Sequence, residues 1–261
     1  MVAGRSGVRW FRGYRRVPGG LPLFCFPHAG GAASYFHPWS AALAPGIEVL
    51  AVQYPGREDR AAEPCITDIA VLADQIHAAL GSSLPQRFAF FGHSMGAILA
   101  FEVARRIARQ EGRGPAHLFV SGRLAPPWRS FRNLHRGGIP AMIGELRSLG
   151  GTDPRILDDS EALELILPAM LADYTASETY RFEPGPPLSC DITAMIGDHD
   201  QLNAAGDAAA WSAHTTGAFN LQVYPGGHFY LDDCRPRVLE AVSSCLAVTA
   251  ASSPGRDGGR R

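Results

Sequence analysis

Phe90-Phe91-Gly92-His93-Ser94-Met95-Gly96 joins a short apolar run, residues 88–91, to a helical pattern that opens at Ala97. The stretch has the form G-x-S-x-G. In a tight strand-to-helix turn the central serine is held in a strained conformation with its hydroxyl exposed above the sheet. Side chains in place of Gly92 and Gly96 would collide with the neighbouring helix and strand, so both positions need the smallest residue. In a chain with 29 glycines the pattern alone is weak; the strand–turn–helix setting gives it force.

The flanking sequence repeats the same alternation. Leu21–Phe26, residues 48–52, 88–91, His117–Ser121, 192–196 and Phe219–Tyr224 are near-continuous apolar or β-rich runs. Such runs suit strands buried on both faces of a parallel sheet. Residues 32–43, 67–80, 97–110, 202–214 and 237–248 have helical length and periodicity. Strands alternating with helices predict the α/β class: an open, mostly parallel sheet flanked by helices. With a nucleophile elbow on one strand, the expected form is the α/β-hydrolase fold.

One segment breaks the rhythm. Residues 124–188 hold no strand candidate but two apolar helical stretches, 139–149 and 161–174. The first has Pro140 near its start and Gly150-Gly151 after its end. The second has Asp158 and Ser160 as capping candidates, and Pro168 is expected to kink it. A helical insertion between two strands is where a lid over an active site would sit; an ordinary packed helical pair is the alternative. The expected organisation is one domain over residues 1–250 with the lid at about 124–188. Residues 1–20 read as a basic opening strand or arm, and residues 251–261 as a disordered tail.

Composition narrows the function classes. Among 261 residues, 46% are hydrophobic and 19% charged, ordinary values for a globular chain. A net charge of −1 argues against nucleic-acid binding through an overall field. No run of about 18 apolar residues predicts a membrane span, and the basic N-terminus lacks the apolar stretch of a signal peptide. Five scattered cysteines without a CxxC pair disfavour a disulfide framework or zinc site and suggest a reducing, cytoplasmic setting. The chain is expected to be a monomer.

A serine hydroxyl needs a base, and the base an orienting acid. In this fold class they follow the serine in the order acid, then histidine. Of nine histidines, His228 lies in Pro225-Gly226-Gly227-His228-Phe229 after the last strand, where a base belongs. The preceding strand ends in Gly197-Asp198-His199-Asp200 and offers two aspartates. Asp200 is preferred, and Asp198 then becomes a turn-former bonding local amides. The first strand runs into Pro27-His28-Ala29-Gly30-Gly31, whose backbone can point at a substrate oxygen. The amides of Ala29 and Met95 are the expected oxyanion donors. A Cys234–His228 pairing is the rival, but no elbow surrounds Cys234, and Asp232 and Asp233 would raise its thiol pKa.

Together with Gln53-Tyr54-Pro55-Gly56-Arg57-Glu58-Asp59-Arg60 and Leu149-Gly150-Gly151-Thr152-Asp153, these motifs resemble type II thioesterases. Those are the discrete editing enzymes of polyketide synthases and nonribosomal peptide synthetases. The resemblance runs from about Trp10 to the last helix. It implies the triad Ser94, Asp200 and His228 and a helical lid. It also implies acyl thioesters of phosphopantetheine on acyl or peptidyl carrier proteins as substrates, with no metal and no cofactor beyond the arm the substrate carries. Acyl selectivity is expected to depend on Met142, Leu146, Ile166 and Met170 under the lid. Residues 54–60 read equally as a rim supporting the site or a self-paired surface turn. Arg129, Arg132 and Arg136, with Trp128 and Phe131, could receive an acidic carrier or form a solvated linker. The alternatives are a chain-releasing or medium-chain fatty acyl thioesterase, a general carboxylesterase, and an inactive binding module. A chain standing on its own favours the discrete form, and a filled set of triad positions disfavours the inactive one.

Overall fold

The computed structural model describes residues 9–127, 133–203 and 205–251. Seven strands form one sheet: β1 (Phe11–Gly13), β2 (Leu21–Phe26), β3 (Ile47–Val52), β4 (Ala89–His93), β5 (His117–Ser121), β6 (Asp191–Gly197) and β7 (Phe219–Tyr224). Their order is β1-β3-β2-β4-β5-β6-β7, with β1 antiparallel to β3 and every other pairing parallel. The helices are α1 (His37–Ala42), α2 (Ile69–Leu80), α3 (Met95–Glu111), α4 (Leu134–Leu149), α5 (Pro154–Leu157), α6 (Ser160–Thr179), α7 (Ala205–Ala208), α8 (Tyr230–Asp233) and α9 (Arg235–Ala251). Of the expected tail, residues 251–261, Ala251 is the last residue of α9 and residues 252–261 lie outside the described residues.

Alternate strand residues feed two separate cores, as the two-residue period of a pleated strand requires. Phe24, Phe26, Phe90, Leu118 and Val120 pack against α2 and α3 on one face. Leu23, Cys25, Phe91 and Phe119 pack against α1 and α9 on the other, where Val238, Val242 and Leu246 recur at helical spacing. This is why β2, β4 and β5 carry no polar alternation: both of their faces are interior. The phenyl rings of Phe24 and Phe26 meet Phe90 edge-on at 5.8 and 5.2 Å, contacts worth about 1 kcal/mol each beyond their buried area.

The topology sets the site. The chain leaves β2 toward one face through α1 and leaves β4 toward the opposite face through α3. Adjacent parallel strands whose helices diverge open a crevice at their carboxyl ends, the usual ligand position in such sheets. The turn after β2 carries Ala29 and the turn after β4 carries Ser94.

Between β5 and β6, α4, α5 and α6 form a layer with its own small core of Met142, Leu146, Leu157, Leu167 and Met170. α4 begins earlier than its periodicity suggests and breaks at Gly138, φ 72°, before Pro140. Asp159, rather than Asp158 or Ser160, caps α6 by accepting from the amides of Glu161 and Ala162. The helix runs on through Pro168 to Thr179. The 202–214 stretch is not one helix but α7 followed by a 3-10 turn, Ala209–His214.

Candidate active site

Ser94 caps α3 with φ 56° and ψ −118°, a backbone conformation that costs a non-glycine residue about 1–3 kcal/mol. The surroundings enforce it. A methyl at Gly92 would overlap the Gly96 carbonyl, and one at Gly96 would overlap the carbonyl of Phe26 at the end of β2. Ser94 donates its amide to Ser121 O on β5 at 2.8 Å, which pins the turn to the sheet.

Ser94 Oγ lies 3.0 Å from His228 Nε2, and His228 Nδ1 lies 2.9 Å from Asp200 Oδ2. With its proton on Nδ1, the ring donates to the carboxylate and leaves Nε2 free to accept from the serine. His228 and Asp200 are almost wholly buried, their side chains 3% and 0% exposed, so bulk water does not compete for these bonds. Asp200 also accepts from the Leu202 amide at 2.9 Å and from Asn203 Nδ2 at 3.0 Å. Asn203 bonds Gly122 O and the Leu124 amide as well, tying the acid loop to the end of β5. Asp198 takes a different place. Its Oδ1 accepts from the Gly226 amide at 2.8 Å and faces His199 at 2.6 Å, so it braces the loop that carries His228. The Gly226 bond is the main reason its carboxyl falls below the usual range. Cys234 donates its thiol to Pro225 O, away from the triad.

Two further histidines line this chain of contacts. The His93 ring packs 5.0 Å from that of His228 and bonds Ser121 Oγ, which in turn meets Tyr230 Oη at 2.6 Å. His28 borders the cavity. Burial first, and the nearby His228 and Arg57 second, lower His28 to about 3; burial pushes His93 well below its ordinary value. Both are neutral near pH 7, so neither competes for a proton leaving Ser94.

The turn after β2 is held from several sides. Gly31 donates to His28 O, Tyr54 Oη donates to Pro27 O at 3.0 Å, and Gly30 donates to Asp173 Oδ2 of α6 at 2.7 Å. Met95 opens α3, where no intrahelical carbonyl is available to its amide. Ala29 lines the cavity beside Ser94, and Met95 follows Ser94 directly, so the two residues expected as oxyanion donors stand one on each turn of the crevice.

A cavity of about 380 Å³ opens over Ser94, Ala29 and His228, near the small end of the range for ligand pockets. Leu134, Glu145 and Leu149 border it from α4, and Tyr174, Ser177 and Glu178 from α6. The four residues expected to shape the acyl site do not line it. Met142, Leu146 and Met170 belong to the lid's own core, and Ile166 is half-buried. The correction has a simple cause: the two apolar stripes satisfy each other, and the cavity is left the adjacent, more polar stripe at positions 174, 177 and 178. Glu178 accepts from the amides of Leu134 and His135 and faces His135 Nδ1 at 2.5 Å. Arg123, which donates to Ser177 Oγ at 3.1 Å, is lowered to about 10 by burial and stays charged.

Residues 54–60 are not a self-paired surface turn. Arg57 is buried and forms two bonds to Asp173, at 2.5 and 2.9 Å. Arg60 is buried too, donating to Gln53 O and pairing with Glu63. Arg129, Arg132, Trp128 and Phe131 lie outside the described residues. Among the described residues no helix is long and apolar enough to cross a membrane, and no group of three or more His, Cys, Asp or Glu could hold a metal ion.

Sequence reasoning passed over Asn203 and Asp173. Asp173 has its partners far away in the chain, and Asn203 joins nearby Asp200 to the distant Gly122 and Leu124. The one available signal for Asp173 was an acidic residue on the apolar side of its helix.

Comparison with known proteins places these features in context. The family described as the thioesterase domain matches residues 21–246. The chain is 44% identical over 253 residues to thioesterase PikA5 of Streptomyces venezuelae, covering 96% of this chain and 90% of that one. The structure of the type II thioesterase BorB from the borrelidin biosynthetic cluster is 46% identical, with a TM-score of 0.85 over 91% of this chain and 97% of that one. The RedJ thioesterase of the prodiginine pathway in Streptomyces coelicolor is 38% identical, with a TM-score of 0.82 over 87% and 85%.

Proposed function

The chain belongs to the thioesterase domain family, and on that premise we propose that it is a type II editing thioesterase. In this reading it hydrolyses stalled or wrongly primed acyl groups from the phosphopantetheine thioester of carrier proteins in polyketide or nonribosomal peptide assembly. The observation that carries the reading is the hydrogen-bonded series Ser94–His228–Asp200 opening into a cavity roofed by α4 and α6. Likeness over nearly the whole chain to the type II thioesterase BorB and to thioesterase PikA5 supports the pathway.

The chemistry follows from the geometry. Ser94 Oγ attacks the thioester carbonyl while His228 Nε2 takes its proton. The oxyanion forms beside the amides of Ala29 and Met95, each donor worth about 3 kcal/mol in the transition state. The carbon–sulfur bond then breaks as the His228 imidazolium gives its proton to the sulfur, and the thiol leaves on the pantetheine arm. Water, deprotonated by His228, attacks the acyl-serine; the proton returns to Ser94 Oγ as the acid departs. Asp200 holds the imidazole tautomer and stabilises the imidazolium. Every step is carried by groups of this chain, and the reading needs no metal or bound cofactor.

The test is hydrolysis of a panel of acyl groups loaded on a phosphopantetheinylated carrier protein, by wild type and Ser94→Ala. Release of short acyl groups by wild type and not by the variant is the expected result. Survival of carrier-bound thioesters alongside cleavage of simple oxygen esters would leave a serine hydrolase but remove the editing role.

A further inference from the structure

The buried Arg57–Asp173 pair joins three parts of the molecule that meet nowhere else in sequence. Asp173 lies on lid helix α6 and is 1% exposed; Arg57 lies on the loop after β3. The carboxylate takes both ends of the guanidinium, and Oδ2 also accepts the Gly30 amide at 2.7 Å. Arg57 Nη1 in turn donates to Gly31 O at 3.2 Å. The two charged groups thus grip one N–H and one C=O of the turn that begins with His28 and Ala29. Met170, one helical turn before Asp173, packs over Gly30, so close that a methyl there would overlap it.

The peptide plane between Ala29 and Gly30 follows from this grip. Its N–H on Asp173 restricts ψ of Ala29, and the His28 carbonyl, in the same peptide plane as the Ala29 amide, accepts from Gly31 at 2.9 Å; together the two bonds hold the direction of that amide. Gly30 sits at φ 76°, where an unanchored glycine has wide freedom. An oxyanion donor works only when its direction is set before charge develops.

We propose that Asp173, acting with Arg57, is a positioning group for the oxyanion hole, so that seating α6 and aligning the Ala29 amide are one event. The inference rests on the reading of Ser94 as nucleophile and Ala29 as donor.

The experiment compares wild type, Asp173→Asn and Arg57→Lys in thioester hydrolysis. It also measures their affinity for two probes: an alkyl boronic acid, which forms a tetrahedral adduct on Ser94, and a non-hydrolysable thioether of the same acyl chain. Asp173→Asn should lower kcat by about 10²-fold with KM within about twofold, the scale of losing one oxyanion donor. Boronate affinity should fall in parallel while thioether affinity holds. Arg57→Lys, which keeps the charge but not the fork, should fall between. A merely structural role would weaken both probes alike or leave kcat untouched, and either result overturns the proposal. If Asp173→Asn does not fold, by its thermal midpoint, Arg57→Lys carries the same comparison. Ser94→Ala separates the two levels. Inactive Ser94→Ala with a wild-type-like Asp173→Asn removes this inference alone; an active Ser94→Ala removes both.

Discussion

On the sheet side of the cavity, Ser94, His228 and Asp200 stand at the ends of β4, β7 and β6, with β4 and β6 buried almost throughout. On the lid side, among the described residues, three helices share a small core of five buried apolar side chains and leave Ile139, Ile156 and Leu165 between 38% and 80% exposed. The sheet side is held by close-packed rings and by backbone so tight that methyls cannot be added. The lid side is held by a small core and a few polar ties, Glu178 to the start of α4 and Asp173 to Arg57. The difference teaches that this molecule spends its packing where reacting atoms must not move. The stability of the lid is correspondingly local, and elements with few buried contacts open at lower free energy.

The sharpest way to break the comparison is at the acid loop, where two aspartates stand two residues apart. Asp200→Asn should lower kcat by about 10⁴-fold, because the histidine loses its tautomer control. Asp198→Asn should cost no more than about tenfold, roughly 1.4 kcal/mol, through slackening of the His228 loop. Steady-state rates on one acyl thioester decide it, and equal losses would undo the assignment.

Gly96→Ala comes next. The new methyl meets backbone that has nowhere to go, so kcat/KM should fall by about 10²-fold and stability by about 1–3 kcal/mol. Denaturant midpoints together with rates would expose a tolerant elbow if one exists.

Acid should then attack the sheet side selectively. His28 at about 3, His117 at about 4 and His93 well below 6.5 are held neutral in the fold, His93 and His117 buried and His28 half-buried at the cavity. In the unfolded chain each takes a proton near pH 6.5. The unfolded state therefore binds more protons as pH drops below 6.5, and stability falls from there toward the folded values. Each histidine contributes up to about 1.4 kcal/mol per pH unit. Urea midpoints should be level near pH 7.5 and decline between pH 6.5 and 4, less steeply in His117→Gln. A flat profile over that window would contradict the burial argument.

The smallest effect belongs to the lid. Gly144 in α4 is exposed with no atom near its missing methyl. Gly144→Ala should stabilise by about 0.5–1 kcal/mol and leave kcat unchanged. A loss on the scale of Gly96→Ala would mean that the two sides are packed alike.

Legibility in the sequence followed the same division. Strands buried on both faces announce themselves as apolar runs, so β2 and β5 could be bounded to the residue; β7, half-exposed, was bounded by its β-rich run. β1 is three residues long and amphipathic, too short for any period to show. The elbow glycines were readable because their reason is steric and local. The lid stripes were readable as apolar but not as to what they face, which is why Met142 and Met170 were assigned to the cavity instead of the lid core. A helical turn forms ahead of the break at Gly138, because Glu178 of α6 satisfies its first amides across the lid. Asp173 and Asn203 were invisible for a related reason: their partners Gly30 and Gly122 lie 143 and 81 residues away.

The placement of the lid in the β5-to-β6 connection bears on how such an enzyme can diversify. Two parallel neighbours must be joined by a crossover of a dozen residues or more in any case, so the sheet imposes a minimum on this connection and no maximum. Doubling its length would add only about 0.6 kcal/mol of closure entropy. Strand register, elbow and acid loop could stay as they are while the roof is lengthened, shortened or exchanged. Selectivity for the acyl group and the machinery that cleaves it can therefore be inherited, and engineered, as separate traits.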